Sequence, residues 1–318
     1  MRYLPHLAML ASVAIGAGLG FAAARYAGLS MDGLVGRGEE LSQAAPAAQE
    51  HTALQAPQAL PDAAWLDRLG RIEWDDPDAA AVQALAVAVA AQPSLRAAVL
   101  QRYRHERRPL AKAGLRQVLG AAGESPDLIA AALQLAQDAD ASARADGFRL
   151  LAEFHPREEA YTLARRALAE ERDPAALAGA LMCLRPMDVL PPQEVRRVLR
   201  RLQALNTHPS PMVRGHSVQK LADWDRSQVV VAKAVAQALS DPDADVRQAA
   251  VGAVAIASLR SGPIKRAVLG ILADASEDPK VREAALLVSE QFALTQDEYA
   301  TYVAGREGLG EKSRQQGH

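Results

Sequence analysis

One unit recurs along this chain at a spacing of 32 to 37 residues, and a chain built that way folds as a stack of copies rather than around one central core. The best-preserved copy, residues 240–259, reads S-D-P-D-A-D-V-R-Q-A-A-V-G-A-V-A-I-A-S-L. It predicts a helix with a strong start. Asp243 can accept the first free amide protons, and Val246, Ala249, Ala250, Ala253, Val254 and Ala257 follow at helical spacing. Taking the helix-start residue as a mark, Asp140, Asp173, Ser210, Asp243 and Asp278 stand 33, 37, 33 and 35 residues apart. Weaker starts at Asp76 and near Arg108 extend the ladder backwards at a spacing of 32.

Within the strong units the third and fourth residues after the mark read Ala143-Arg144, Val213-Arg214, Val246-Arg247 and Val281-Arg282, with Ala176-Leu177 departing. Position seven is always small (Gly147, Ala180, Ser217, Ala250, Ala285) and position eight always larger and apolar (Phe148, Leu181, Val218, Val251, Leu286). A small residue beside a large one at fixed offset is what close helix-on-helix stacking requires. Between these second helices lie first helices, announced by Ser125-Pro126, His155-Pro156, Pro191-Pro192 and Gly262-Pro263. Residues 195–205 show their pattern: Val195, Val198, Leu199, Leu202 and Leu205 share one face, and Arg196, Arg197, Arg200 and Arg201 the other.

With 49% apolar but only 4% aromatic residues, Ala/Leu/Val-packed helices are favoured over an aromatic-rich β fold. The expected class is therefore all-α: an α-solenoid, a right-handed superhelix of about seven helical hairpins over residues 63–304, preceded by an N-terminal hydrophobic helix. Residues 64–74 are expected to open the array, with Trp65 and Trp74 covering its end. A capping box of Thr295 and Glu298 starts the last helix, and the Gly-rich, charged tail 305–318 is expected to be disordered.

The segments S-D-P-D-A-D-V-R-Q-A-A-V-G-A-V, S-E-D-P-K-V-R-E-A-A-L and T-H-P-S-P-M-V-R-G-H-S-V resemble HEAT repeats of the short HEAT-like variety, over about residues 76–293. HEAT repeats commonly carry an Asp six residues before the Arg, forming a ladder between units. The resemblance implies such a structural ladder at Asp138 with Arg144 and Asp241 with Arg247. His208 precedes Arg214 and Ser276 precedes Arg282 in place of Asp, and Leu177 removes the Arg from one unit, so stacking is expected to be least regular between residues 173 and 208.

Residues 7–24 contain no charge, with Arg2 before and Arg25 after them, which is a membrane-insertion signal by length and composition. Two outcomes compete for residues 1–28: retention as a membrane anchor, or removal as a signal peptide at the small-x-small site after Ala24. Gly16 and Gly20 make a GxxxG, for which a merely small-residue-rich segment is the simpler reading. Residues 29–62, rich in Ala, Gln and Pro, read as a flexible linker, and a tether makes most sense if its near end is held. The expected place is an inner membrane, single-pass and N-in with a periplasmic C-terminal domain, or the periplasm after cleavage near Ala24.

Little chemistry stands out. The net charge of −2, from 36 basic and 38 acidic residues, gives no global attraction for nucleic acid. Cys183 is the single cysteine, which excludes an intramolecular disulfide and a Cys-based zinc site, and the seven histidines show no HExxH or paired short spacing. Ser217 and Lys220 form an S-x-x-K, but Ser217 holds the small stacking position and no S-D-N or K-T-G accompanies it. The densest positive stretch is Arg102, Arg104, Arg107 and Arg108 with Lys112 beyond. It is a candidate patch for an acidic partner, a phosphate or a membrane surface, though a solvated inter-helix turn is the plainer reading. No phosphate loop, dinucleotide fingerprint or triad spacing is found, and no cofactor is expected. The leading expectation is a non-catalytic scaffold that holds a protein or peptide partner in a groove lined by the second helices. The alternatives are a HEAT-like enzyme of the DNA glycosylase or bilin lyase type, and a purely structural spacer.

Overall fold

Helix-start chemistry decides where this chain turns. In the computed structural model, which describes residues 61–187 and 190–316, all the regular structure is α-helical. Seven hairpins follow one another: α1 (Asp62–Gly70) with α2 (Ala79–Ala91), α3 (Pro93–His105) with α4 (Pro109–Ala121), α5 (Pro126–Leu135) with α6 (Ala141–Leu151), α7 (Glu158–Glu170) with α8 (Pro174–Cys183), α9 (Pro192–Leu205) with α10 (Pro211–Trp224), α11 (Val229–Ala238) with α12 (Ala244–Ile256), and α13 (Gly262–Ala273) with α14 (Pro279–Ser289). A last helix, α15 (Gln296–Gln316), closes the array. The fold is an α-solenoid. The anchor or signal peptide expected at 1–28 and nearly all of the linker at 29–62 lie outside the described residues.

The marks fall where the spacing places them. Asp140, Asp173, Asp243 and Asp278 are N-caps whose side chains accept amide protons of the first turn, as from Ala143 N at 2.8 Å and Lys280 N at 2.8 Å. Ser210 and Arg108 are N-caps without a side-chain bond. The start expected at Asp76 falls at Asp78, and the one expected at His155-Pro156 falls at Arg157. In the second case Glu124 takes the His155 N–H and pairs with Arg157 at 2.7 Å, so these two residues are spent in a turn and the helix begins after them.

Position seven is buried in every strong unit, and at Gly147 the reason is plain. A Cβ there would stand 2.6 Å from the Leu135 carbonyl carbon and closer still to Ala136 N, so α5 and α6 can meet only over a hydrogen atom. Position eight supplies the volume: Phe148, Leu181, Val218 and Val251 are at most 2% exposed. Fully burying a side chain of that size contributes roughly 1.5–3 kcal/mol. At the first hairpin the Trp74 indole packs directly on Gly114 of α4, while Trp65 packs half-buried on the core.

Contacts between neighbouring second helices are dense, as at α6–α8 and α10–α12, while successive first helices touch only lightly. The thinnest junction between second helices is α4–α6, not the stretch 173–208 where a missing Arg led us to expect it. Leu177, in the Arg position of α8, is itself buried and fills the gap, whereas α4 and α6 face each other through charged side chains. The tail also departs from expectation: α15 runs through residue 305 to Gln316. Gly305 lets it lie against Leu272, whose Cγ would be 2.5 Å from a Cβ, and the Tyr302 hydroxyl bonds Glu290 at 2.9 Å. The capping box is present in both directions, Thr295 N to Glu298 Oε2 at 2.8 Å and Glu298 N to Thr295 Oγ1 at 3.3 Å.

Candidate functional site

The conspicuous polar residues of the repeat are structural, and their pairing differs from the expected one. Arg144 does not pair with the Asp138 carboxylate. Its guanidinium donates to the backbone carbonyls of Asp138 (3.0 Å) and Ala139 (2.8 Å) and forks onto Glu171 of the next unit (2.7 and 3.1 Å). Arg214 does the same with the carbonyls of His208 and Pro209 (both 3.0 Å) and with Asp241 (2.8 and 2.7 Å). Arg247 uses the carbonyls of Asp241 (2.7 Å) and Pro242 (3.0 Å) and the carboxylate of Glu277 (2.7 and 2.5 Å). What the Arg needs six residues back is a carbonyl, which any residue supplies, so His208 serves as well as Asp138. The ladder acid belongs to the following unit and lies just before its N-cap. Arg282, at the end of the row, is buried beneath α15 and donates to Leu272 O at 3.2 Å.

Each ladder acid also accepts from the amides entering the next helix: Glu171 from Arg172 N and Asp173 N, Asp241 from Asp243 N, Glu277 from Asp278 N. The guanidinium bond is the chief reason that all three carboxyls titrate below their ordinary range. Their folded values lie below an unfolded value of about 4, so the stability they contribute is complete above that pH and lost as the pH falls through the folded values. We expect the thermal midpoint to hold from pH 7 to about pH 5 and to fall below about pH 4. Replacing Glu277 by Gln should lower the neutral midpoint and shrink that acid-side fall.

Function is better sought on the face that packing leaves open. Eight large apolar side chains are exposed among the described residues, and five of them sit on second helices: Val87, Leu110, Met212, Ile256 and Leu287, between 36% and 60% exposed. Counted from their N-caps these are positions nine, two, two, thirteen and nine. At about 100° per residue those positions share a strip only about 40° wide, turned well away from the buried position seven. Half-buried Met182 occupies position nine of α8. In the middle of the row the same strip turns polar, with Arg149 on α6 and Gln219 and Asp223 on α10, and His216 at its edge.

The basic patch expected around residue 105 is divided by the structure. Arg102 (3.4 Å) and Arg108 (3.1 Å) both close on the buried Glu106, whose carboxyl is held down at about 2 chiefly by the Arg108 hydrogen bond. Arg104 and Arg107 are exposed. Lys112 turns the other way, onto Asp146 of α6 at 2.5 Å and over the Tyr103 ring at 5.6 Å. Beside it Arg116 pairs with Glu153 at 2.8 Å, and Arg149 lies 3.7 Å from Asp146. Lys220, the second member of the S-x-x-K, binds Asp223 at 2.9 Å, and Ser217 is fully buried with its hydroxyl 2.6 Å from Asn206 Oδ1. That places Ser217 in the packing of the stack. Among the described residues no group of three or more His, Cys, Asp or Glu is arranged to hold a metal ion.

The family model for HEAT repeats matches residues 198–289. This stretch is a run of HEAT repeats. It covers α10 to α14 and most of α9; before it, α6 shares the Asp cap, the small seventh residue and the ladder Arg, and α8 shares the cap and the small seventh residue. No curated protein matches the chain. Among solved structures, the X-ray structure of YibA from Escherichia coli is similar at 16% identity, covering 65% of this chain and 76% of that one, with a TM-score of 0.48. Sequence reading singled out Arg144, Arg214 and Arg247 but paired Arg144 and Arg247 wrongly, and it found neither Glu171 and Glu277 nor the strip on the second helices. Val87, Leu110, Met212, Ile256 and Leu287 share no residue type and no single position, and only the N-cap register aligns them.

Proposed function

We propose that the array is a non-catalytic HEAT-repeat scaffold that holds a protein or peptide partner across the open strip of its second helices. The carrying observation is that strip: five large apolar side chains left exposed on one narrow face of one row. Exposed apolar side chains gathered on one face favour a contact surface over a bare structural spacer. The contact density supports the same reading, because the row whose helices approach most closely is the inner side of a curved stack, and an inner groove wraps an extended ligand.

The uncharged stretch 7–24 and the Ala/Pro/Gln-rich segment after it support a membrane-tethered placement, with the array on the periplasmic side of an inner membrane. Among the described residues no single helix is long and apolar enough to cross a membrane. Fractionation of the C-terminally tagged chain is expected to leave it with the membrane at its full length. A soluble product shortened near Ala24 would mean an exported, untethered array instead.

The binding reading is tested by Met212→Glu with Leu287→Glu. Both sites are about half exposed, so the pair should change stability by no more than about 1 kcal/mol. We expect the intact chain to retain a reproducible partner from solubilised envelopes and the double variant to lose it. Equal capture by both, or none by either, would contradict the reading.

A further inference from the structure

The strip is not uniform, and its change of character describes what it takes. Its exposed apolar members lie toward the two ends, on α2 and α4 and again on α12 and α14, with Met212 on α10. Between them, α4, α6 and α10 bring together a half-buried set of charges. Lys112 pairs with Asp146, Arg149 approaches the same Asp146, Arg116 pairs with Glu153, and Lys220 pairs with Asp223. Among these ion pairs four cations, Lys112, Arg116, Arg149 and Lys220, share three carboxylates, Asp146, Glu153 and Asp223.

The excess is felt at the centre. Burial first, and then the positive charges of Lys220 and Arg149, push the His216 imidazole down to about 4, with a Gln219 hydrogen bond opposing them. His216 is therefore neutral at physiological pH, and the field around it favours an anion. The side chains of Lys220 and Arg149 are 14% and 26% exposed, reachable yet partly shielded, and charge attraction there is stronger and less screened by salt than on an open surface.

We infer that the partner segment carries acidic side chains in its middle, seated against Arg149 and Lys220 beside His216, with apolar side chains on either side reaching the ends of the strip. This rests on the reading of the second-helix strip as the binding face and adds the chemistry of what it binds. The rest of the chain gives the choice of occupant. The whole protein is near neutral, and the excess is local and small, matched to one or two carboxylates.

A random peptide library displayed on phage and selected on the full-length, detergent-solubilised protein tests this. Selected peptides are expected to share Asp or Glu flanked by apolar residues. Their binding should weaken about tenfold in Arg149→Gln and in Lys220→Gln, and should fall between 0.05 and 0.5 M NaCl. Arg196→Gln with Arg200→Gln, on the solvent face of α9, should leave binding unchanged. The salt series on the unaltered protein stands even where a substitution disturbs folding. Selected peptides without acidic residues, or bound equally by the Gln variants and at all salt concentrations, would overturn the inference and leave the scaffold reading standing. Displacement by a short DNA duplex would assign the cations to phosphate and overturn it as well. Selection of no peptide would contradict both.

Discussion

Gly147→Val is expected to destabilise the array by about 3 kcal/mol or more, the largest loss from any single small-to-large change in the repeat. Overpacking a core costs roughly 1–3 kcal/mol when side chains can move aside, and more when they cannot. Here the obstacle is backbone: a Cβ at 147 would stand 2.6 Å from the Leu135 carbonyl carbon. Neither α5 nor α6 can yield without opening its hairpin. Gly270 on α13 has nothing within 4 Å of a Cβ, and Gly270→Ala should instead stabilise by roughly 0.5–1 kcal/mol through helix propensity. Urea unfolding of both variants measures the contrast, and similar midpoints for the two would refute the packing account.

Arg214→Ala is expected to cost about 2–4 kcal/mol. It leaves Asp241 with only the Asp243 amide and deprives the carbonyls of His208 and Pro209 of their donor. Loss of one partner from a fully buried pair costs roughly 3–5 kcal/mol, and the lower figure here allows for side chains 14% and 12% exposed. An apolar replacement of both partners removes the orphaned charge, so Arg214→Leu with Asp241→Leu should unfold at higher urea than Arg214→Ala alone. Leu177 shows that the stack accepts an apolar residue at this position. A double variant no more stable than the single one would mean that the ladder is worth more than the burial of its charge.

The repeat was legible because its signals are local. An Asp before a helix, a Pro in its first turn and a small residue seven positions on act within one hairpin, and spacing alone aligns them. The ladder was only half legible. Arg144, Arg214 and Arg247 stood out, but their partners Glu171, Asp241 and Glu277 lie 27 to 30 residues ahead, and the expected Asp at minus six turned out to matter through its carbonyl. The order of α15 beyond Gly305 was hidden for a similar reason: its composition reads as a tail, and only in the stack does Gly305 meet Leu272, Gly308 lie beside Arg282 and Leu309 become buried. Least legible was the strip, because exposure is a property of the stack. Nothing in Leu110 or Leu287 distinguishes them from buried leucines until neighbouring hairpins have covered the others.

The most direct test of the scaffold reading is a photo-crosslinking scan in cells. A photoreactive amino acid placed at Val87, Met212, Ile256 or Leu287 should join the chain to a common protein partner, whereas the same group at Arg196 or Arg200, on the solvent face of a first helix, should not. Crosslinks to one partner from the strip alone are the predicted result. Equal crosslinking from both faces, or silence along the whole strip, would contradict it.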